Sequence, residues 1–322
     1  MMTRYRILNL EPENYSPEAL AILQSLGEVE AGPLDRAALL ERIGEFEVLI
    51  VRLAHQIDRQ VLERAGRLKV IVSATTGLDH IDLECAAGRG ITVLSLRGET
   101  DFLRRIPATA EHTWALLLAL VRRVPAAHAS VLAGEWQRDR FRGSDLAGKS
   151  LGLLGLGRIG EKVARYGLAF GMQVLAYDPY RADWPGEVER LSSQADLLVR
   201  SQVFSIHVPL NAETENLIGA AELALLPPGA LLINTARGQV LDEAALLAAL
   251  ESGRLGGAAL DVLCDERRAS LVESPLVRYA RRHDNLILTP HIGGATRESM
   301  AATERFMAHK LRAYLEGLSI PS

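Results

Sequence analysis

Short apolar runs alternate with amphipathic stretches from the first residues of this chain onward. Residues 6–10, 48–51, 70–74 and 91–94 have the length and composition of buried strands, and 17–26, 58–65 and 83–87 between them carry helical spacing. Strands that alternate with helices predict a parallel sheet, because parallel neighbours need a long connection that returns over the sheet face. Residues 108–123 form the clearest helix of this half, with Pro107 at its start and Pro125 after its end. That helix is expected to carry the chain into another domain.

A second α/β series follows, with strands over 150–154, 173–177, 203–208, 230–234, 258–262 and 286–288 and helices over 159–170 and 242–250. The last amphipathic stretch, 296–315, is long enough to return and pack on the first domain. The basic run 278–283 reads as a solvated loop or helix face, and no repeat or low-complexity tract interrupts the pattern.

A length of 322 residues fits about two domains, and 48% hydrophobic with 24% charged residues is a globular balance. The formal charge of −4 argues against a nucleic-acid partner. The N-terminus lacks a basic segment followed by a long apolar one, and the densest later run, 114–121, is too short to cross a bilayer core of ~30 Å. The expectation is a cytoplasmic protein with no membrane partner. Cys85 and Cys264 are too few for a disulfide framework and are not spaced as a metal pair, so both are read as reduced structural thiols, with no metal site.

Two constellations carry chemistry. In the first, an apolar run enters Gly155-Leu156-Gly157-Arg158-Ile159-Gly160 and continues as a helix. Gly155 permits a tight turn, Gly157 lets backbone approach a pyrophosphate, Gly160 lets helix pack on strand, and the helix N-terminus supplies N–H groups and partial positive charge. Arg158 can add a phosphate contact. The same glycines would also serve a plain strand-to-helix turn, but eighteen residues on, at the end of the next strand, stands Asp178. A carboxylate there accepts hydrogen bonds from ribose hydroxyls and repels a 2′-phosphate, which favours NAD over NADP; Arg181 softens that repulsion slightly.

In the second, Arg237, Glu266 and His291 each lie beyond the carboxyl end of an expected strand, where open α/β sheets place ligands. Arginine grips a carboxylate through paired hydrogen bonds, histidine moves a proton near neutral pH, and a carboxylate beside such a histidine fixes its ring and favours its protonated form. These roles fit carbonyl-to-alcohol redox chemistry on a 2-keto or 2-hydroxy acid.

With these residues placed, the chain resembles the D-isomer-specific 2-hydroxyacid dehydrogenases, a family that includes phosphoglycerate and glyoxylate/hydroxypyruvate reductases. The motifs are the glycine loop, Ser205-Ile206-His207-Val208-Pro209-Leu210, Ile233-Asn234-Thr235-Ala236-Arg237-Gly238, Ala258-Ala259-Leu260-Asp261-Val262 and Leu288-Thr289-Pro290-His291-Ile292-Gly293-Gly294. The resemblance implies two doubly wound parallel-sheet domains. A Rossmann NAD-binding domain, 108–294, is inserted in a flavodoxin-like substrate-binding domain, 1–107 with 295–322.

It further implies that Arg237 binds the substrate's carboxylate and carbonyl oxygen, that His291 is the acid/base, that Glu266 orients and charges it, and that Asp261 contacts the nicotinamide end. Ile159, His207, Val208, Pro209, Thr235, Ala236, Gly293 and Gly294 join the glycine loop and Asp178 around the cofactor. In the first domain, Thr76 and Gly77 lie on a loop whose N–H groups grip the substrate carboxylate, and Arg52 falls near the substrate. His112 and His207 are expected to be packing or cofactor-side residues rather than catalysts. A homodimer through the nucleotide-binding domain is the usual assembly of such proteins.

The chain departs from the common pattern at Thr75, where glycine is frequent, at Arg267, where proline is usual, and at Gln202, where an acidic residue is frequent. Thr76 replaces the lysine of phosphite-oxidising relatives, and Glu266 disfavours the formate-specific branch. The connection 96–107 is unusual, and Arg97, Arg104 or Arg105 either reads a second anionic group or forms a solvated hinge. Two alternatives to a general D-2-hydroxyacid dehydrogenase stay open at this point: a D-3-phosphoglycerate dehydrogenase specifically, and an NAD-sensing binding protein of corepressor type.

Overall fold

A computed structural model describes residues 4–266 and 270–318; Arg267 lies outside the described residues. The chain divides into two compact units, Met1–Ile106 with Thr296–Ser322, and Pro107–Ala295.

Unit 1 runs β1 (Tyr5–Asn9), α1 (Pro17–Leu26), β2 (Gly27–Ala31), α2 (Arg36–Arg42), β3 (Val48–Val51), α3 (Arg59–Arg64), β4 (Val70–Ser73), α4 (Leu83–Gly88), β5 (Thr92–Ser95) and α5 (Thr100–Leu103). Its five strands are all parallel in the order β2-β1-β3-β4-β5. Ser16, Asp35, Asp58 and Asp82 start α1 to α4 by accepting first-turn N–H groups that have no partner inside the helix. Both faces of the sheet are covered, so β3 and β4 are buried at every position, and their continuous apolar runs follow from that. β2 escaped the sequence pattern because it is an edge strand carrying Glu28 and Glu30. Its Gly27 is obligatory, since a Cβ there would stand 1.9 Å from the Tyr5 carbonyl oxygen.

Unit 2 runs α6 (Ala108–Val121), α7 (Val124–Leu132), β6 (Ser150–Leu154), α8 (Arg158–Ala169), β7 (Gln173–Tyr177), β8 (Glu189–Arg190), α9 (Gln194–Arg200), β9 (Val203–Ile206), α10 (Ala220–Leu225), β10 (Ala230–Asn234), α11 (Glu243–Glu251), β11 (Leu255–Leu260), α12 (Pro275–Ala280) and β12 (Leu286–Leu288). Its seven parallel strands take the order β12-β11-β10-β9-β6-β7-β8, with the reversal of strand order at β6 and β9 that creates a ligand crevice at the carboxyl edge. The helix expected over 108–123 stops at Val121, and Arg123 is left-handed with φ 53°. Pro125 accounts for this: it has no N–H to continue the ladder, and it suits the first turn of a new helix. The basic run 278–283 divides between the end of α12 and the exposed turn after it.

The chain then returns to unit 1 as α13 (Arg297–Glu316), capped by Thr296. Met307, Ala308 and Leu311 on α13 share one core with Ile7, Leu23, Val48 and Val70.

Candidate active site

The glycine loop joins β6 to α8 with the division of labour that its spacing predicts. Gly155 has φ +90°, a region closed to most side chains, and a Cβ there would meet the His207 carbonyl oxygen at 2.8 Å. A Cβ at Gly160 would lie 2.3 Å from the Gly155 carbonyl oxygen, so helix and loop touch through bare backbone. Gly157 differs, because a Cβ there meets nothing within 4 Å: the space beside this N-cap is not filled by protein. No side chain caps α8. The Arg158 guanidinium, half-buried, has no acidic partner among the described residues, and burial lowers its pKa. Uncapped N–H groups, an unopposed cation and open space together fit a dinucleotide pyrophosphate.

Asp178 stands just past β7. Its carboxylate accepts the Leu156 N–H at 2.9 Å and the Tyr180 N–H at 3.0 Å, so it shapes the glycine loop. Arg181 is tied to the Leu156 carbonyl, to Glu161 at 3.2 Å and to Asp183, which spends its charge beside the loop. His207 follows β9, with its Nε2 2.9 Å from Ser205 Oγ; burial alone pushes its pKa down to about 4, which keeps it neutral. Gln202 closes the other end of β9, its Oε1 accepting the Ser150 N–H at 3.1 Å.

Three adjacent strands carry the remaining residues. Arg237 follows β10 in a turn closed by Asn234, whose side-chain amide donates to the Arg237 carbonyl at 2.9 Å. Gly238 presses this turn against the next loop, since a Cβ on it would lie 2.0 Å from the Leu263 carbonyl carbon. Glu266 ends the described part of that loop, and its Oε2 is 2.8 Å from Nδ1 of His291, which follows β12. The expected Glu–His pair is therefore formed, with Arg237 on the loop packed beside it. Cys264 is half-buried, with its thiol toward the Leu241 carbonyl at 3.7 Å.

His291 is itself left-handed, φ 54°, and its N–H donates to the Asp261 and Thr289 carbonyls at 2.8 and 3.0 Å. Asp261, with a side chain 1% exposed, accepts four further hydrogen bonds: Thr289 Oγ1 at 2.6 Å, His112 Nε2 at 3.1 Å, and the N–H groups of Ile292 and Gly293 at 2.9 and 2.7 Å. Burial alone would raise its pKa, but these donors outweigh burial and lower it. These bonds tie the His291 loop and the α6 histidine to one carboxylate.

In unit 1, the Thr76-Gly77 loop follows β4. Thr75 bridges from Ser73 Oγ at 2.9 Å to the Gly77 carbonyl at 2.7 Å, and no acceptor among the described residues meets the Thr76 and Gly77 N–H groups. The Arg52 side chain is 19% exposed and is bound to Glu304 at 3.1 Å, to the Glu11 carbonyl at 3.0 Å and to the Glu11 carboxylate at 3.5 Å, contacts that clamp α13 to the end of β3. The unusual connection is ordered by α5, where Phe102 stacks on Phe306 at 4.2 Å and Glu99 pairs with Lys310. Arg97, Arg104 and Arg105 point to its exposed side.

The sequence reading missed the polar face of α6, where Thr113 Oγ1 meets Thr235 Oγ1 at 2.9 Å and His112 meets Asp261. Its only signal was a Thr-Ala-Glu-His-Thr stretch opening an otherwise apolar helix. Among the described residues no cluster of His, Cys, Asp or Glu is arranged for a metal, and no single helix is long and apolar enough to cross a membrane.

Residues 114–293 match the family described as D-isomer specific 2-hydroxyacid dehydrogenase, NAD binding domain. The chain is 40% identical over 304 residues to the D-3-phosphoglycerate dehydrogenase of Methanocaldococcus jannaschii, covering 93% of this chain and 56% of that protein. It thus spans about half the length of that relative and of others that share its name. The glyoxylate reductase of Aeropyrum pernix is 38% identical, with 95% of this chain and 92% of that one covered. Among solved structures, D-lactate dehydrogenase from Aquifex aeolicus complexed with NAD and lactic acid superposes with a TM-score of 0.84 at 30% identity, over 97% of this chain and 96% of that one. With both sheets parallel and the glycine loop shaped for a dinucleotide, the chain belongs to the D-isomer-specific 2-hydroxyacid dehydrogenase family, and unit 2 is its NAD-binding domain.

Proposed function

We propose that this chain is an NAD-dependent oxidoreductase that interconverts a D-2-hydroxy acid and the corresponding 2-keto acid. The observation that carries the reading is the 2.8 Å contact between His291 Nδ1 and Glu266. An ionised carboxylate only accepts, so Nδ1 carries a hydrogen and Nε2 is the atom left to exchange a proton with substrate. In the reducing direction, Nε2–H protonates the carbonyl oxygen as it becomes a hydroxyl, while Glu266 holds the ring through Nδ1–H. Arg237 holds the carboxylate and the developing negative charge, a contribution of ~3 kcal/mol or more where such a donor is preorganised. The Thr76 and Gly77 N–H groups of unit 1, which meet no acceptor among the described residues, suit a carboxylate. Bound NADH supplies the hydride. Oxidation reverses these steps.

The substrate class is a 2-hydroxy or 2-keto acid. The assembly we infer is a homodimer through unit 2, supported by Leu132 and Trp136, which are 75% and 86% exposed on and just after α7.

NADH oxidation followed against a panel of phosphorylated and unphosphorylated 2-keto acids tests the proposal. Turnover of at least one is expected, with His291→Ala lowering kcat by about 10²- to 10⁴-fold. NADH binding without turnover of any panel member would instead identify a cofactor sensor.

A further inference from the structure

Thr109, His112 and Thr113 stand at i, i+3 and i+4 on α6, one polar face on a helix whose other positions are largely core. Thr113 Oγ1 donates to the Thr109 carbonyl at 2.8 Å and meets Thr235 Oγ1 at 2.9 Å, two residues before Arg237. His112 Nε2 lies 3.1 Å from Asp261 Oδ1 and 3.0 Å from Thr289 Oγ1, two residues before His291. Gly293 lies against the same face, since a Cβ on it would meet Asp261 Oδ2 at 2.9 Å, Thr109 Cγ2 at 3.4 Å and His112 Cδ2 at 3.7 Å. The helix is anchored elsewhere by the Trp114 indole, which donates to the Val163 carbonyl of α8 at 3.2 Å.

This face therefore meets both loops that carry the proposed chemistry. A left-handed histidine persists only where its surroundings over-determine it. Here the surroundings are Asp261, which holds the N–H groups of His291, Ile292 and Gly293 through its carbonyl and carboxylate. We propose that the Thr109-His112-Thr113 face of α6 sets the register of the Arg237 and His291 loops, with His112 as the positioning residue that acts through Asp261. The catalytic consequence rests on the acid/base reading of His291; the register itself does not.

Hydrogen exchange and kinetics on the full chain separate the two. His112→Leu is expected to speed exchange of the amides of 291–293 about tenfold or more, while the amides of β6 stay unchanged. It is expected to lower kcat about tenfold or more with the NADH Kd held within about threefold, since misplacement rather than lost binding is the defect. His112→Gln, which keeps a donor at a similar reach, restores both. Thr113→Val instead speeds exchange over 235–237. Unchanged exchange in His112→Leu, uniform acceleration that includes β6, or failure of His112→Gln to restore what His112→Leu loses would overturn the proposal. Faster exchange at 291–293 with kcat intact would support the register and count against His291 as the acid/base.

Discussion

The Asp178 oxygens hold the N–H groups of Leu156 and Tyr180, and we propose that its charge disfavours a 2′-phosphate; the two tasks can be separated. Asp178→Asn removes the charge and keeps one acceptor. The preference for NADH over NADPH, measured as a ratio of Kd values, is expected to fall about tenfold or more, the scale of ~1.4 kcal/mol of relieved repulsion. An unchanged ratio would take Asp178 out of cofactor selection. At this scale the sequence was most informative where chemistry restricts the residue type: a proton-transfer histidine, its carboxylate and the loop glycines have few substitutes. It was least informative about partners remote in sequence. Glu304 lies 252 positions from Arg52, and no local pattern announces that pair.

β3, β6, β7, β10 and β12 lie where the apolar pattern put them, residue for residue, and in β3 and β6 burial at every position leaves a continuous signature. β2 and the two-residue β8 left none, being exposed at a sheet edge. His207, just past β9 and packed beside the glycine loop, carries a pH consequence. Burial lowers the pKa of His207 from 6.5 to about 4, so the unfolded chain takes up a proton in that window and the folded chain does not. Stability is therefore expected to fall as pH drops from about 6.5 towards 4, by up to ~1.4 kcal/mol per pH unit from this residue. Thermal midpoints of wild type and His207→Asn, measured between pH 7 and pH 5, should converge on the acid side. Parallel curves would remove His207 as the cause.

For the whole molecule, Leu132 and Trp136 are exposed apolar side chains on and just after α7 that the proposed homodimer would cover. Light scattering is expected to give twice the 35.1 kDa chain mass, and Leu132→Glu with Trp136→Glu together is expected to give the single mass with NADH binding retained. A dimer that survives both substitutions would place the interface elsewhere.

The return of α13 bears on the order in which the molecule is made. Unit 2 is encoded without interruption, so every segment of its core has been synthesised by Ala295. Unit 1 begins first and finishes last: the sheet face bearing Ile7, Val48 and Val70 lacks Met307 and Leu311, and the Ser16 N–H lacks Glu304, until the final helix is synthesised. Its nascent sheet passes through translation with one apolar side open, in the way that invites chaperones.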